Sequence, residues 1–185
     1  VELDAVGIAV AGSVNSERGE VLRGENLDWD NVPLATLMSK SLNTHVSIEN
    51  DVSAAAWGEF TYGAGKGKED MFAVWIGTGI GGGLILNKSL WTGPLGTGGE
   101  FGMGISEWNT DAITRTLEGY ASRSGYQRIL NDPSIDTQVI KESFKSGNDL
   151  DVLIHEGASR IGTSIANVVT LLSLNCIVLG GGITE

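Results

Sequence analysis

A short glycine-rich loop has the composition that most directly suggests chemistry in this sequence. Residues 77–83 contain five glycines together with the hydroxyl group of Thr78. Glycine permits positive φ angles and lets the backbone approach a ligand closely. Consecutive N–H groups in such a loop can bind an anion together, and a threonine hydroxyl adds a further donor. The loop therefore predicts an anion site, with a tight turn that binds no ligand as the alternative.

The context of this loop excludes two common phosphate motifs. Gly77, Gly79 and Gly82 have the spacing G-x-G-x-x-G, which is typical of dinucleotide sites. Such a site requires a helix directly after the loop. The chain continues instead into residues 84–91, a β-hairpin pattern with Asn-Lys at its turn. A Walker loop is also excluded, because the sequence contains no Gly-Lys-Ser or Gly-Lys-Thr triplet.

Asn50 and Asp51 stand between a predicted strand, residues 45–49, and a predicted helix, residues 51–60. Side chains at such a junction project from the end of a sheet toward a cleft. An amide and a carboxylate side by side can hold a hydroxyl group and remove its proton. The alternative is that Asp51 is only the N-terminal cap of the helix.

Two glutamates are further candidates for ligand binding. Glu100 is flanked by glycines within residues 97–102, and Glu118 follows Leu117 in a helical pattern. A surface loop would also explain Glu100, and a solvated helix face would explain Glu118. Each glutamate alone indicates little, so their meaning depends on what else is placed beside them.

Strand and helix patterns alternate along the chain, which predicts an α/β protein. Because residues 5–12 are apolar throughout, we expect that strand to be buried on both faces. A lobe boundary near the second helix divides the chain into residues 1–58 and 59–185. The other predicted strands are 20–22, 45–49, 71–76, 83–86 and 176–179, and the predicted helices follow Pro33 and cover 51–60, 112–130, 137–145 and 150–174.

The composition is that of an ordinary globular protein, with 41% hydrophobic and 19% charged residues among 185. A net charge of −11 without a basic run argues against nucleic-acid binding by this chain. The single cysteine, Cys176, excludes an intrachain disulfide and fits a reducing compartment. No signal peptide is visible and the longest apolar run, residues 165–174, is too short to span a bilayer. These features predict a cytoplasmic protein without a membrane segment.

Several of these stretches, taken in order over nearly the whole chain, resemble the ROK family of bacterial sugar kinases and sugar-responsive repressors. The matching stretches are residues 7–14, 49–56, 63–67, 77–83, 99–102, 117–122 and 179–182. The resemblance implies an actin-like ATPase fold, also called ribonuclease H-like, with two lobes around a cleft. It also implies a homodimer that uses ATP and Mg²⁺ to phosphorylate a hexose or an N-acetylhexosamine.

The resemblance also implies roles for individual residues. Asp51 would be the general base and Asn50 would position the sugar. The remaining sugar contacts would come from Gly12, Ser13, Glu100 and Glu118. The phosphate contacts would come from Gly77, Thr78, Gly79, Gly81 and Gly82, and the adenosine contacts from Gly180, Gly181 and Gly182.

The sequence departs from the family pattern in two places. Met103 stands where the family has a histidine, and residues 105–116 contain neither cysteine nor histidine, so we predict that no zinc is bound. The family's first phosphate motif, of the type Asp-x-Gly-Gly-Thr-Lys, is missing, as is the C-terminal segment that returns to the first lobe. We therefore expect a fragment with an incomplete N-terminal lobe that phosphorylates sugar poorly or not at all by itself.

Two other functions stay open. A regulator of the same family would bind sugar without turnover, and an actin-like structural protein would bind nucleotide without sugar. The Asn50–Asp51 pair beside an intact glycine loop favours the kinase, because a sensor needs neither a base nor ATP. Polyphosphate is an alternative phosphoryl donor.

Overall fold

The computed structural model describes residues 3–24, 27–94, 96–108 and 111–184. Within these ranges strands and helices alternate as an α/β protein requires. The strands are β1 Ala5–Val10, β2 Ser13–Asn15, β3 Glu20–Gly24, β4 Trp29–Val32, β5 His45–Asn50, β6 Met71–Ile76, β7 Ile80–Leu86, β8 Ser89–Leu90 and β9 Ile177–Gly180. The helices are α1 Leu34–Leu42, α2 Asp51–Tyr62, α3 Leu117–Ala121, α4 Arg123–Ile129, α5 Thr137–Ser143 and α6 Asp149–Leu172, with a 3₁₀ turn at Phe101–Met103.

The N-terminal part contains two small sheets. Strands β1 and β5 pair in parallel, while β2, β3 and β4 form an antiparallel meander. Their shared core is buried and entirely aliphatic: Val10, Val14, Val21, Val46 and Ile48. The expectation that β1 is buried on both faces is wrong, since Ala5, Gly7 and Ala9 are exposed. Only one face of β1 packs against this core. Both faces are apolar, so the apolar composition does not show which face is buried.

The larger sheet has the order β8-β7-β6-β9. Strand β6 pairs antiparallel with β7 and parallel with β9, which the chain reaches through the long helix α6. Val74, Leu117, Tyr120 and Ile161 are among the buried residues that join this sheet to α3 and α6. None of the helices in the described ranges is long and apolar enough to cross a bilayer.

Local sequence signals explain most element ends. The predicted Asn-Lys turn of the hairpin is confirmed, with φ of +51° at Asn87 and +62° at Lys88, as a two-residue hairpin turn requires. The single helix predicted over residues 112–130 is wrong: Ser122 is extended and separates α3 from α4. Its hydroxyl accepts a hydrogen bond from the Gly125 N–H at 3.0 Å and so caps α4. Strands β2 and β4 were not predicted, because their short polar segments lack a strand pattern.

Helix α2 packs against the larger sheet, mainly on β7, and also contacts the β1–β5 sheet. A Cβ atom on Gly81 would lie 2.5 Å from Val52 Cγ2, and one on Gly83 would lie 2.3 Å from Ala56 Cβ. The glycines of β7 therefore allow α2 to lie directly on the strand. Because α2 runs without a break from Asp51 to Tyr62, the division of the chain at residues 58 and 59 stays a prediction.

Tyr126 is buried against Ile135, Ile140 and Leu150, with 2% of its surface exposed. This burial, with a smaller contribution from the nearby Tyr120, raises the pKa of Tyr126 to about 12 from 10.0. A phenol whose pKa is raised by folding stabilises the protein fully below the unfolded pKa, and the contribution disappears as the pH rises from 10 to 12. Two pKa units correspond to about 3 kcal/mol.

Between pH 10 and pH 12, the free energy of unfolding should therefore fall less in Tyr126→Phe than in the unaltered protein. The measurement is chemical unfolding at several pH values across this window. Tyr62→Phe is the matched control, because Tyr62 is 86% exposed and its side chain is not buried by folding. If the free energy of unfolding fell equally with pH in Tyr126→Phe and in the unaltered protein, folding would not raise the pKa of Tyr126.

Candidate active site

Asn50 and Asp51 form the start of α2. Asn50 Oδ1 accepts a hydrogen bond from the Ser53 N–H at 3.0 Å, so Asn50 is the cap and Asp51 is the first helical residue. Asp51 Oδ1 accepts from the Val52 N–H at 2.9 Å and from the Asn50 amide at 3.2 Å. The Asp51 side chain is exposed, and its Oδ2 has no hydrogen-bond partner among the described residues. One carboxylate oxygen is thus fixed while the other is accessible.

The turn between β1 and β2 is tied to this pair. The Asn50 amide donates to the Gly12 carbonyl oxygen at 3.0 Å. Gly12 has a φ of +126°, and a Cβ atom there would lie 2.2 Å from the Arg23 carbonyl oxygen. Only glycine fits this turn without displacing the neighbouring backbone. Gly12 and the cap of α2 therefore hold each other in place.

A small cavity brings most of the predicted sugar-contacting residues together. Gly12, Ser13, Asn50 and Glu100 all line it, and Asp51 adjoins it through its hydrogen bond to Asn50. The rest of the lining, which was not assigned to the sugar from the sequence, is Val14, Glu49, Ser53, Gly82, Thr92, Gly96, Gly98 and Gly99. The cavity measures only about 20 Å³, so it cannot enclose a whole sugar, and its hydroxyl, amide and carboxylate groups form the polar inner end of a candidate site.

Glu118 lies at a different place from the other candidates. Its Oε2 accepts from the Ile80 N–H at 2.8 Å, at the start of β7. A Cβ atom on Gly79 would lie 2.4 Å from the same oxygen. Glu118 is not among the described residues that line the cavity with Asn50. The structure thus places Glu118 behind the glycine loop, and its contact with a sugar hydroxyl stays a prediction.

The turn between β6 and β7 directs two N–H groups outward. The carbonyl oxygens of Gly77 and Thr78 accept from the N–H groups of Arg123 and Ser124 at 2.9 and 3.2 Å. In a trans peptide the N–H points opposite to the carbonyl, so the N–H groups of Thr78 and Gly79 point away from α4. Neither has a hydrogen-bond partner among the described residues. A Cβ atom on Gly77 would meet nothing within 4 Å, so the turn is also open.

The glycines after this turn have packing roles. Gly81 lies against α2, and a Cβ atom on the buried Gly82 would lie 2.8 Å from the Gly99 carbonyl oxygen. These contacts need glycine whether or not a ligand binds. The predicted phosphate contacts of Gly81 and Gly82 therefore stay predictions, while Gly77, Thr78 and Gly79 form the accessible part of the loop.

The second glycine turn lies beside the first. Trp75 on β6 pairs with Gly180 on β9, and the two strands are parallel. Gly181 has a φ of +102°, and a Cβ atom there would lie 2.3 Å from the Ile76 carbonyl oxygen. Gly182 continues this turn. Ligands of open α/β sheets bind at the carboxyl ends of the strands, where both glycine turns are found here.

Arg123 is a residue of this site that the sequence analysis did not identify. It begins α4, and its guanidinium group donates to the Thr78 hydroxyl oxygen. The available signal was a cation directly after the matching stretch 117–122 in a chain of net charge −11. That signal is weak, because only the tertiary structure places residue 123 beside residue 78.

The segment between Met103 and Leu117 is held from α6. Arg160 forms an ion pair with Glu107 at 3.2 Å, and its guanidinium carbon lies 3.6 Å from the centre of the Tyr120 ring. The segment closes on itself through a bridge between residues 105 and 116. These contacts connect the 3₁₀ turn after Glu100 to the helix that carries Glu118. No sequence motif predicts them.

Metal binding at this segment was predicted to be absent. Among the described residues, no three His, Cys, Asp or Glu side chains are close enough together to hold a metal ion. The prediction itself rests on the composition of residues 105–116. Metal analysis of the purified protein should find no stoichiometric zinc, and one bound ion per chain would contradict it.

Comparisons with known proteins show which proteins this chain is similar to. A glucokinase from Streptomyces coelicolor is 31% identical over 209 residues, covering 100% of this chain and 66% of the relative. A xylose repressor from Caldicellulosiruptor bescii is 26% identical and covers 95% of this chain and 49% of the relative. The chain thus spans slightly less than two thirds of the glucokinase and about half of the repressor.

Solved structures show the same fold. A ROK family glucokinase from Streptomyces griseus, in complex with glucose and AMPPNP, has a TM-score of 0.80 at 30% identity and covers 99% of this chain and 67% of that one. A putative N-acetylmannosamine kinase from Listeria monocytogenes has a TM-score of 0.86 at 28% identity and covers 99% and 66%. The predicted actin-like ATPase fold is confirmed by these similarities. The ROK family profile matches residues 1–185, and the chain belongs to the ROK family.

Proposed function

We propose that the whole protein phosphorylates a hexose or an N-acetylhexosamine with ATP, and that Asp51 is the general base. The observation that carries the proposal is the Asn50–Asp51 pair at the edge of a polar cavity that Gly12, Ser13 and Glu100 also line. The glucokinase and N-acetylmannosamine kinase relatives support this substrate class.

The geometry at Asp51 suits proton removal. Oδ1 already accepts the Val52 N–H and the Asn50 amide, so Oδ2 is the atom that takes the proton of the sugar hydroxyl. The sugar oxygen then forms a bond to the γ-phosphorus, while the bond from that phosphorus to the β-phosphate oxygen breaks and ADP leaves. Asn50 is held by Ser53 and Gly12, which keeps the base and the positioning amide in a fixed arrangement. Preorganisation of this kind is the main contribution a protein makes to phosphoryl transfer.

The phosphates would lie over the outward N–H groups of Thr78 and Gly79, where Gly77 leaves the turn open. The adenosine would lie along residues 180–182, at the same edge of the sheet. Mg²⁺ would supply positive charge that offsets the charge of the phosphates, and such sites take few ligands from the protein. We propose that residues 1–185 alone are poorly active, because the sequence contains no Asp-x-Gly-Gly-Thr-Lys motif to complete the phosphate site.

A coupled ADP-release assay tests the proposal. The full-length protein should release ADP with at least one member of a panel of hexoses and N-acetylhexosamines, and polyphosphate is assayed in parallel as donor. Release that depends on sugar supports the kinase. Absence of turnover with every sugar and both donors would contradict it.

A sugar-sensing regulator is the second candidate. The xylose repressor relative supports it, because 95% of this chain matches that protein. A sensor would bind sugar at the residues that line the cavity without transferring phosphate. Sugar-dependent DNA binding by the full-length protein, without turnover, would establish this function in place of the kinase.

A further inference from the structure

Arg123 lies at the glycine turn through both its backbone and its side chain. Its N–H donates to the Gly77 carbonyl oxygen at 2.9 Å, and its guanidinium group donates to the Thr78 hydroxyl oxygen. The residue is partly buried, so its position is constrained while the guanidinium group can still be reached by a ligand. A guanidinium group has five N–H donors, and the bond to Thr78 uses one of them.

The contact with Arg123 also orients the Thr78 hydroxyl. Because this oxygen accepts a hydrogen bond from the guanidinium group, its own proton points elsewhere and can be donated. Thr78 and Gly79 additionally direct two N–H groups away from α4 without a partner in the described ranges. The turn therefore presents hydroxyl, amide and guanidinium donors close to one another.

Electrostatics at the turn require a cation if phosphates are to bind. The Glu118 carboxylate lies directly behind it, hydrogen-bonded to the Ile80 N–H at 2.8 Å, and the chain carries a net charge of −11. A phosphate brought to this turn would be repelled by both.

Arg123 is placed to offset this repulsion. Like most Lys and Arg side chains in the described ranges, Arg123 forms no ion pair with a described carboxylate, and it differs from them in being hydrogen-bonded to the glycine turn. An anionic ligand would pair with this cation and accept hydrogen bonds from the neighbouring donors, which have no partner in the described ranges.

We propose that Arg123 binds the terminal phosphates of the nucleotide together with Thr78 and Gly79. The inference rests on the proposed function, since it takes the glycine turn as the phosphate site, and it adds a charged phosphate ligand that the glycine pattern does not contain. Arg123 contributes a positive charge and hydrogen-bond donors, and adenosine, which has no phosphate, does not use it.

Binding measurements on the full-length protein test this inference. Arg123→Gln should weaken the binding of ADP and of inorganic tripolyphosphate by about 10- to 100-fold, the range expected for hydrogen bonds to a charged group. The affinity for adenosine should stay unchanged, and the loss should become smaller at high salt because ions screen the interaction. Arg128→Gln, in the last turn of the same helix, removes the same charge and should change none of these affinities.

Three results separate the possible failures. Equal weakening of adenosine and ADP would mean that Arg123 only supports the turn, and unchanged ADP and tripolyphosphate affinities would mean that it does not contact phosphate. Either result overturns the inference while leaving the kinase proposal to the ADP-release assay. Absence of any phosphate binding by the unaltered protein would overturn both, because the turn would then not be a phosphate site.

Discussion

Replacing Asp51 by asparagine in the full-length protein should lower kcat for sugar phosphorylation by about 10²- to 10⁴-fold, the usual contribution of a positioned general base. The asparagine keeps the size of the side chain and an oxygen that can accept the Val52 N–H, but it has no oxygen able to take a proton. Affinities for sugar and nucleotide should change little. Steady-state kinetics and direct binding of both ligands provide the measurement.

The chain contains a closely matched control for this substitution. Asn148 and Asp149 at the start of α6 repeat the arrangement of Asn50 and Asp51, with the asparagine as cap and the aspartate as first helical residue. Asp149→Asn should therefore lose the same interaction with the helix dipole, about 0.3 to 1 kcal/mol, without affecting turnover. Comparable losses of activity in the two variants, or equal loss of turnover and nucleotide binding in Asp51→Asn, would assign Asp51 a structural role.

Replacing Gly12 by alanine should destabilise the N-terminal sheets and disrupt the cavity. The φ of +126° is unfavourable for a residue with a side chain, and the new Cβ would lie 2.2 Å from the Arg23 carbonyl oxygen. Backbone strain of roughly 1–3 kcal/mol and overpacking of roughly 1–3 kcal/mol together predict a loss of about 2–6 kcal/mol in unfolding free energy. Displacement of the turn would also break the bond from the Asn50 amide to the Gly12 carbonyl, so sugar affinity should fall.

Gly67→Ala separates the two contributions. Gly67 has a similar left-handed backbone, with φ of +83°, but a Cβ atom there would meet nothing within 4 Å. It should therefore lose only the strain component, roughly 1–3 kcal/mol. Denaturant unfolding of the three proteins gives the comparison. If Gly12→Ala and Gly67→Ala were equally stable, the turn at Gly12 would have room for a side chain.

The family, the fold class and the elements that carry the candidate residues could be predicted from the sequence. Local chemistry explains this success: glycines mark sites of close approach, and strands alternating with helices imply an α/β fold. Errors occurred where tertiary contacts decide the local structure. Residues 112–130 have a helical pattern, yet the helix is interrupted at the extended Ser122, directly before the N–H groups of Arg123 and Ser124 that bond to the glycine loop. The apolar strand β1 is buried on one face only, because burial depends on which elements pack against it.

The glycine loop shows most clearly which features follow from the sequence and which follow from the tertiary structure. Backbone sterics and helix capping are local, so the residue types alone indicate a close-approach loop at residues 77–83 and a helix that starts at the Asn50–Asp51 pair. The packing of Gly81 and Gly83 against α2, the support of the loop by Glu118 and the contact of Arg123 with Thr78 are visible in the folded structure and not in any local pattern. These contacts join residues about 30 to 45 positions apart in the sequence, and such pairings are set by the packing of whole elements rather than by any local pattern.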